Sequence, residues 1–231
     1  DTYFNPAYNG DIKISIDPNK TMELNEKKLI ARRAAMELKP DAIVNLGVGI
    51  PDGVSKIALE EEVSDLINMS IDSGGIGGIP ATGLDFGNTI NADAIIEHSQ
   101  QFDFYDGGGI DIAFLGLGEV DKNGNVNLSK FNGKPVGCGG AINISQNAKK
   151  VVFCGTFTTK GLEVEVVEDN KLNIINEGKY NKFVKEVEQV TFSVKNANFI
   201  DQSVYYVTER AVFELTKEGI ELLEIAPGID L

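Results

Sequence analysis

Residues 70–80 read Ser70-Ile71-Asp72-Ser73-Gly74-Gly75-Ile76-Gly77-Gly78-Ile79-Pro80. An apolar run from Val63 to Ile71 leads in, stops on a carboxylate and passes straight into four glycines within five positions. Glycine has no side chain to pack and costs extra backbone entropy to order. It is useful where φ must be positive or where another group must come close to the backbone. A strand that ends on Asp72 in such a setting makes that carboxylate the first candidate for a working residue. The same pattern also suits a plain turn in which an Asp bonds to its own backbone, and this stretch alone leaves both readings open.

Upstream, Ala42 to Leu46 is a short apolar strand entering Gly47-Val48-Gly49-Ile50-Pro51-Asp52, and a helix is expected over Gly53 to Glu62. Strand, glycine turn and helix form the basic α/β unit, whose turns lie at the carboxyl ends of strands where ligands bind. Gly-x-Gly-x-Pro by itself is equally a tight turn. Leu24 to Leu38 reads as a helix with Asn25 as its N-cap, stopped by Lys39-Pro40-Asp41. Residues 1–21, with Tyr3, Phe4, Ile12, Ile14 and Ile16, read as an extended arm that needs a surface to lie on.

Downstream, the expectations are a short helix over Ala92 to His98, an aromatic run at Phe102 to Tyr105 and a glycine turn at Asp106-Gly107-Gly108-Gly109. A strand over Ile112 to Leu117 precedes a hairpin turn at Asp121 to Asn125. Another glycine loop, Gly137-Cys138-Gly139-Gly140, precedes a strand at Val151 to Cys154. Leu162 to Val167 and Leu172 to Ile175 form an antiparallel hairpin about Glu168-Asp169-Asn170. Phe183 to Phe192 alternates loosely, Val204 to Thr208 is a strand, and Ala211 to Lys217 fits either helix or strand. No linker, repeat or low-complexity tract divides the chain. One α/β domain is expected, with an open, mostly parallel sheet flanked by helices and a small antiparallel hairpin. The four glycine-rich turns suggest one crevice lined by backbone.

The net charge of −14 argues against a nucleic-acid surface, which needs clustered Lys and Arg. Backbone N–H groups can still hold phosphate locally. No apolar run approaches the roughly 18 residues of a membrane span. With no signal peptide visible and only Cys138 and Cys154, which suggest no disulfide framework, a cytoplasmic location is expected. The first residue is Asp1 rather than Met, which reads as a processed product or an excised piece.

His98, the single histidine, lies in a polar run with Glu97, Ser99 and Gln100 and reads as solvated. A Ser-His-Asp site or a His-based zinc site would hang on that one residue, and no metal is expected. Cys138 lacks a neighbouring histidine to activate it. The Walker spacing is absent. Carboxylates and backbone amides remain, a combination suited to nucleophilic attack by a carboxylate with N–H groups holding the developing oxyanion.

The sequence resembles the family I coenzyme A transferases, specifically the second, β-type half of the short-chain acyl-CoA:acetate and propionate enzymes. The resemblance covers nearly the whole chain. It rests on Asn45-Leu46-Gly47-Val48-Gly49-Ile50-Pro51-Asp52-Gly53, Ser73-Gly74 with Gly77-Gly78, Gly83-Leu84-Asp85-Phe86-Gly87, Phe102 to Gly109, Gly137-Cys138-Gly139-Gly140-Ala141 and Thr208-Glu209-Arg210-Ala211-Val212-Phe213. It implies a CoA-transferase-like fold and transfer of coenzyme A between a short-chain acyl-CoA and a free carboxylate. The route is a mixed anhydride and then an enzyme-bound carboxyl–CoA thioester. By the same resemblance Asp72 is the nucleophile, and Gly139, Gly140, Ala141 and Gly74 hold the oxyanion and substrate. Gly47, Gly49, Gly107, Gly108 and Gly109 then line the CoA site. CoA enters as a substrate, and no tightly bound cofactor is implied. The expected partners are acyl-CoA, short carboxylic acids, an α-type half and further copies of the chain.

Two departures stand out. The family carries Glu where this chain has Asp72, which sets the carboxylate one methylene, about 1.5 Å, further back. A catalytically impaired or non-catalytic CoA-binding domain is the alternative this raises, with acyl-CoA hydrolysis a third. The α-type half is missing, so residues 1–231 read as a single β-type domain, inactive alone. Ala141 either leaves room for acyl chains beyond acetyl or packs into the core beside Ile142.

Overall fold

The computed structural model describes residues 4–17 and 21–230. Its centre is a nine-stranded sheet made of β1 (Ile43–Leu46), β2 (Asn68–Ser70), β3 (Gly75–Ile76), β4 (Ala94–Ile95), β5 (Ile112–Gly116), β6 (Lys150–Cys154), β7 (Ser203–Val207), β8 (Ala211–Thr216) and β9 (Gly219–Ile225), in the order β9-β8-β7-β6-β5-β1-β2-β3-β4. The five central strands, β7-β6-β5-β1-β2, are parallel, and antiparallel strands close both edges. The helices are α1 (Glu26–Ala35), α2 (Gly53–Glu60), α3 (His98–Asp106), α4 (Ala141–Asn147) and α5 (Val194–Phe199).

The central strands are apolar on both faces, as parallel strands covered on both sides must be. Ile112 and Phe114 pack on one side with Val152, Cys154 and residues of α1 and α2. Ala113 and Leu115 pack on the other with Val151, Phe153, Tyr105 of α3 and Ile144 of α4. The period-two alternation thus divides one strand between two cores. The N-cap of α1 is Asn25, whose Oδ1 accepts from the N–H groups of Lys27 (3.0 Å) and Lys28 (3.1 Å), satisfying donors the first turn leaves open. Glu37, just past α1, bonds both Arg33 (2.7 Å) and Lys150 (2.6 Å), tying the helix to β6.

The expected helix at Ala92 to His98 is a correction. Ala94 and Ile95 form a two-residue strand against β3, with Gly75 opposite Ile95 and Ile76 opposite Ala94. The ladder groups of β3 are satisfied by that pairing, and α3 begins only at His98, after extended backbone at Glu97. The aromatic run Phe102 to Tyr105 lies inside α3. Residues 211–216 are strand, paired antiparallel with β7 and β9. The hairpin of Glu163–Val167 and Lys171–Asn176 forms as expected. Of Phe183 to Phe192, Phe183–Val184 is a strand, parallel to Glu119–Asp121. The described part of the arm lies on residues 85–91. Tyr8 Oη donates to Asp85 (3.1 Å), and Asn91 bonds the N–H and carbonyl of Ile14 (2.9 Å each). Tyr3 falls outside the described residues.

Both sheet edges are blunt. At one, β4 offers two exposed residues. At the other, β9 carries Glu221 and Glu224 and pairs through a bulge at Val212/Phe213, and Glu224 is bound by Arg33 (2.7 Å).

Candidate active site at the carboxyl ends of the strands

The chain leaves β1 through α2 toward β2 on one side, and leaves β5 through α4 toward β6 on the other. The point between β1 and β5 where this direction reverses is where open α/β sheets bind ligands. Gly47 continues the pairing there, its N–H donating to Phe114 O at 2.8 Å. A cavity of about 190 Å³ opens at this point. Its walls include Asn45 to Val48, Leu115 and Gly116, Phe86, Leu128, and Cys138 to Ala141, with Asp72 on its rim of chain turns.

Asp72 reaches the cavity because β2 ends in a tight hairpin. Ile71 O accepts from Gly74 N–H (3.0 Å) and Gly75 O from Ile71 N–H (3.1 Å), enclosing Asp72, Ser73 and Gly74. Gly74 has φ +111°, and a Cβ there would fall 2.0 Å from Ile96 O, so both the turn and the neighbouring chain demand glycine. The half-buried Asp72 carboxylate accepts no hydrogen bond among the described residues, so the chain turn is present without the self-bonding expected of a plain Asp turn.

Below Asp72 is a buried polar layer. Asn45 Nδ2 donates to Tyr105 Oη (3.2 Å), Tyr105 Oη donates to Ser70 Oγ (3.0 Å), and Ser70 Oγ donates to Val44 O (3.2 Å). Burial pushes the Tyr105 phenol up, against the pull of its hydrogen bonds to Ser70 and Asn45. Asn45 Oδ1 is buried without a partner among the described residues, and the fully buried Gln101 adds to the pull on the Tyr105 phenol.

Across the cavity, the loop before α4 presents backbone. Ala141 N–H closes a turn by donating to Cys138 O at 3.1 Å. The N–H groups of Gly139 and Gly140 have no acceptor among the described residues. Gly140 is glycine because of Phe102: a Cβ would lie 2.6 Å from Phe102 Cζ.

The structure therefore brings Asp72, Gly47, Gly139, Gly140 and Ala141 to one cavity. Gly74 sits one turn away in a structural position. Gly49, with φ +92°, directs its N–H to the Asp52 carboxyl, whose burial raises its pKa against the pull of Lys56 and that N–H. Gly107, Gly108 and Gly109 do not line the cavity. They follow a helix rather than a strand, and the N–H groups of Gly107 and Gly109 cap α3 through Asp103 O and Phe104 O (3.0 Å each). That places them at the amino end of β5, with Asp111 N–H bonded to Ile43 O at the start of β1. The expectation of one crevice lined by all four glycine turns is thus corrected: two of them, at Gly47 and at Gly139–Gly140, line the cavity, and the third contributes only Asp72, just ahead of its glycines.

Sequence reasoning missed His98. Its ring Nδ1 lies 2.8 Å from the Asp72 carbonyl oxygen, and the ring packs against Phe102 with centroids 4.7 Å apart. A gap of 26 positions gave no local signal for this contact. Asn45, Ser70 and Tyr105 were visible only as parts of a strand and an aromatic run. Among the described residues no group of three or more His, Cys, Asp or Glu is placed to hold a metal ion.

No family model matches the sequence. The chain is similar to the acetate CoA-transferase YdiF of Escherichia coli O157:H7, with 46% identity over 227 residues, 98% of this chain and 43% of that protein. A crystal structure of that YdiF as a thioester complex with CoA superposes with a TM-score of 0.85 over 94% of this chain and 40% of that one, at 46% identity. The caffeate CoA-transferase of Acetobacterium woodii is 49% identical over 234 residues, 99% of this chain and 44% of that protein. The chain thus spans less than half the length of these relatives. The acetate CoA-transferase subunit beta of Haemophilus influenzae is 31% identical over 222 residues, covering 90% of this chain and 87% of that subunit. With this near full-length match to a β subunit and the close likeness to YdiF, the chain belongs to the family I CoA-transferases, as a β-type half.

Proposed function

We propose that this chain is the carboxylate-bearing half of a short-chain acyl-CoA:carboxylate CoA-transferase, with Asp72 as nucleophile. The observation that carries the proposal is that Asp72, whose carboxylate has no partner among the described residues, lines the same cavity as Gly139 and Gly140, whose N–H groups have no acceptor among them. An Asp72 oxygen attacks the acyl-CoA thioester carbonyl, and CoA leaves as thiolate, giving a mixed anhydride. The thiolate attacks the Asp72 carbonyl carbon and expels the free carboxylate, leaving CoA on Asp72 as a thioester. A second carboxylate attacks that thioester and releases the thiolate, which takes the new acyl group from the second anhydride and restores Asp72. Each addition places negative charge on a carbonyl oxygen, and preorganised N–H donors stabilise such charge.

CoA is substrate throughout, and nothing in the scheme needs a bound cofactor. An α-type half, as paired subunits in the family suggest, completes the crevice, and the exposed Val48 and Leu84 beside it are apolar surface for such a cover. We infer that the chain works in an oligomer in the cytoplasm. No helix among the described residues is long and apolar enough to cross a membrane. The test is covalent trapping: the chain, an α-type half and acyl-CoA are mixed, treated with borohydride and weighed intact. A CoA adduct on Asp72, lost on reduction and absent from Asp72→Asn, is expected. No adduct with the unchanged chain would overturn the reading.

A further inference from the structure

The Asp72 carboxylate has no partner among the described residues, so its direction depends on how its own peptide is held. The two hydrogen bonds that close the hairpin use Ile71 O, Ile71 N–H, Gly74 N–H and Gly75 O. Neither engages the carbonyl of Asp72, which belongs to the peptide joining Asp72 to Ser73. That carbonyl is held by His98 Nδ1 at 2.8 Å. A carbonyl oxygen only accepts, so Nδ1 carries the hydrogen and donates it.

His98 is exposed, but its backbone and one face of its ring are anchored. It is the first residue of α3. Its ring packs at a tilt of 53° against Phe102 one turn on. The segment leading to it is bound to the same hairpin, because Ile96 N–H donates to Gly74 O at 3.0 Å and the Cα of Gly74 presses against Ile96 O. Phe102 in turn fills the space that Gly140 leaves open. A chain of contacts therefore runs from Gly140 through Phe102 and His98 to the peptide of Asp72.

We propose that His98 is a positioning residue for Asp72: its Nδ1–H locks the Asp72–Ser73 peptide so that the carboxylate faces the Gly139 and Gly140 amides. This rests on the reading of Asp72 as nucleophile. A displacement of about 1 Å at a reacting group costs on the order of 10²-fold, and an aspartate, shorter than glutamate, has less freedom to recover it.

The variants His98→Ala and His98→Asn test this, because an Asn amide nitrogen can occupy the place of Nδ1 and His98→Ala removes the donor. With an α-type half supplied, His98→Ala is expected to lower kcat by about 10- to 100-fold with KM changed less than about threefold. His98→Asn should restore most of kcat. Crystal structures of the variants provide a second readout that needs no activity: the Asp72 carbonyl should turn away in His98→Ala and stay in place in His98→Asn. An unmoved carbonyl in His98→Ala, an unchanged kcat, or equal impairment of both variants would overturn the proposal. If the unchanged protein fails to take CoA onto Asp72, the functional reading falls, while the carbonyl positions still decide whether His98 holds the turn.

Discussion

Phe102 and Gly140 meet where a methyl group would stand: a Cβ on Gly140 would lie 2.6 Å from Phe102 Cζ, although Gly140 has an ordinary φ of −79°. The constraint there is space alone. Gly140→Ala is expected to destabilise the protein by about 1–3 kcal/mol, the usual cost of overpacking, and to displace the loop that bears the two free amides. A denaturant midpoint measures the first effect. Adding Phe102→Leu should recover part of the loss, since residues in contact do not contribute additively. A double variant no more stable than Gly140→Ala would remove this explanation.

Asp72→Glu moves the carboxylate about 1.5 Å further into the cavity. If Asp72 is a shortened but working nucleophile, both forms should trap CoA, with the Glu form faster by up to about 10²-fold. Stopped reactions weighed at short times give the two rates. A silent Asp form beside an active Glu form would mean that this chain is a binding or inactivated form.

Ala141 lines the cavity, while its neighbour Ile142 is exposed, so the alternative of core packing beside Ile142 loses its basis. Ala141→Phe should shift preference toward acetyl-CoA over butyryl-CoA. One methylene in an apolar pocket is worth about 1–3 kcal/mol, which puts the change in the ratio of kcat/KM at 10-fold or more. An unaltered ratio would show that the acyl chain lies elsewhere.

Glu37 answers to pH. Burial would raise its pKa, but hydrogen bonds and charge from Lys150 and Arg33 outweigh this and hold the carboxyl below its ordinary 4.5. A depressed carboxyl contributes stability that is present above its unfolded value and lost as pH falls through the folded one. Unfolding free energy should therefore decline below about pH 4.5. Asp111 and Glu177, held low by backbone and cationic partners, add to the decline. Glu37→Gln should lose about 1–3 kcal/mol at pH 7 and show a shallower acid slope. Parallel slopes in the two proteins would deny Glu37 that role.

The two cysteines should separate cleanly. Cys154 is buried within β6, and burial pushes its thiol far up. Cys138 is partly exposed on the cavity wall. Iodoacetamide should label one thiol per native chain and two in denaturant, and the labelled native chain should no longer take up CoA. Rapid labelling of both thiols would show that the sheet centre opens readily.

Much of this was legible in the sequence where the signal is local. Asn25 announced its helix because a cap acts within three residues. The apolar run from Ile112 to Leu117 marked a strand. Asp72 stood out because a carboxylate among glycines is costly to build for stability alone. What could not be read depended on distant partners. Ala94 and Ile95 are a strand only because β3 lies beside them. Residues 211–216 had no periodicity to choose between helix and strand until β7 and β9 flanked them. Gly107 to Gly109 resemble a ligand turn in composition, but a glycine run after a helix is a cap, and only the boundary of α3 tells the two apart. His98 was read as solvated and is exposed, but its bond to the Asp72 carbonyl, 26 positions away, left no sign in the sequence.

The blunt edges of the sheet bear on how chains of this protein gather. Strand-by-strand growth needs a long, flat, unguarded edge, and natural sheets avoid it with short edge strands, charges and bulges. Here one margin ends after two residues, and the other bears glutamates and a bulge. Edges guarded in this way discourage growth by strand addition, so contacts between chains fall to faces and loops. Concentrating the protein should therefore yield no cross-β fibre that binds thioflavin T.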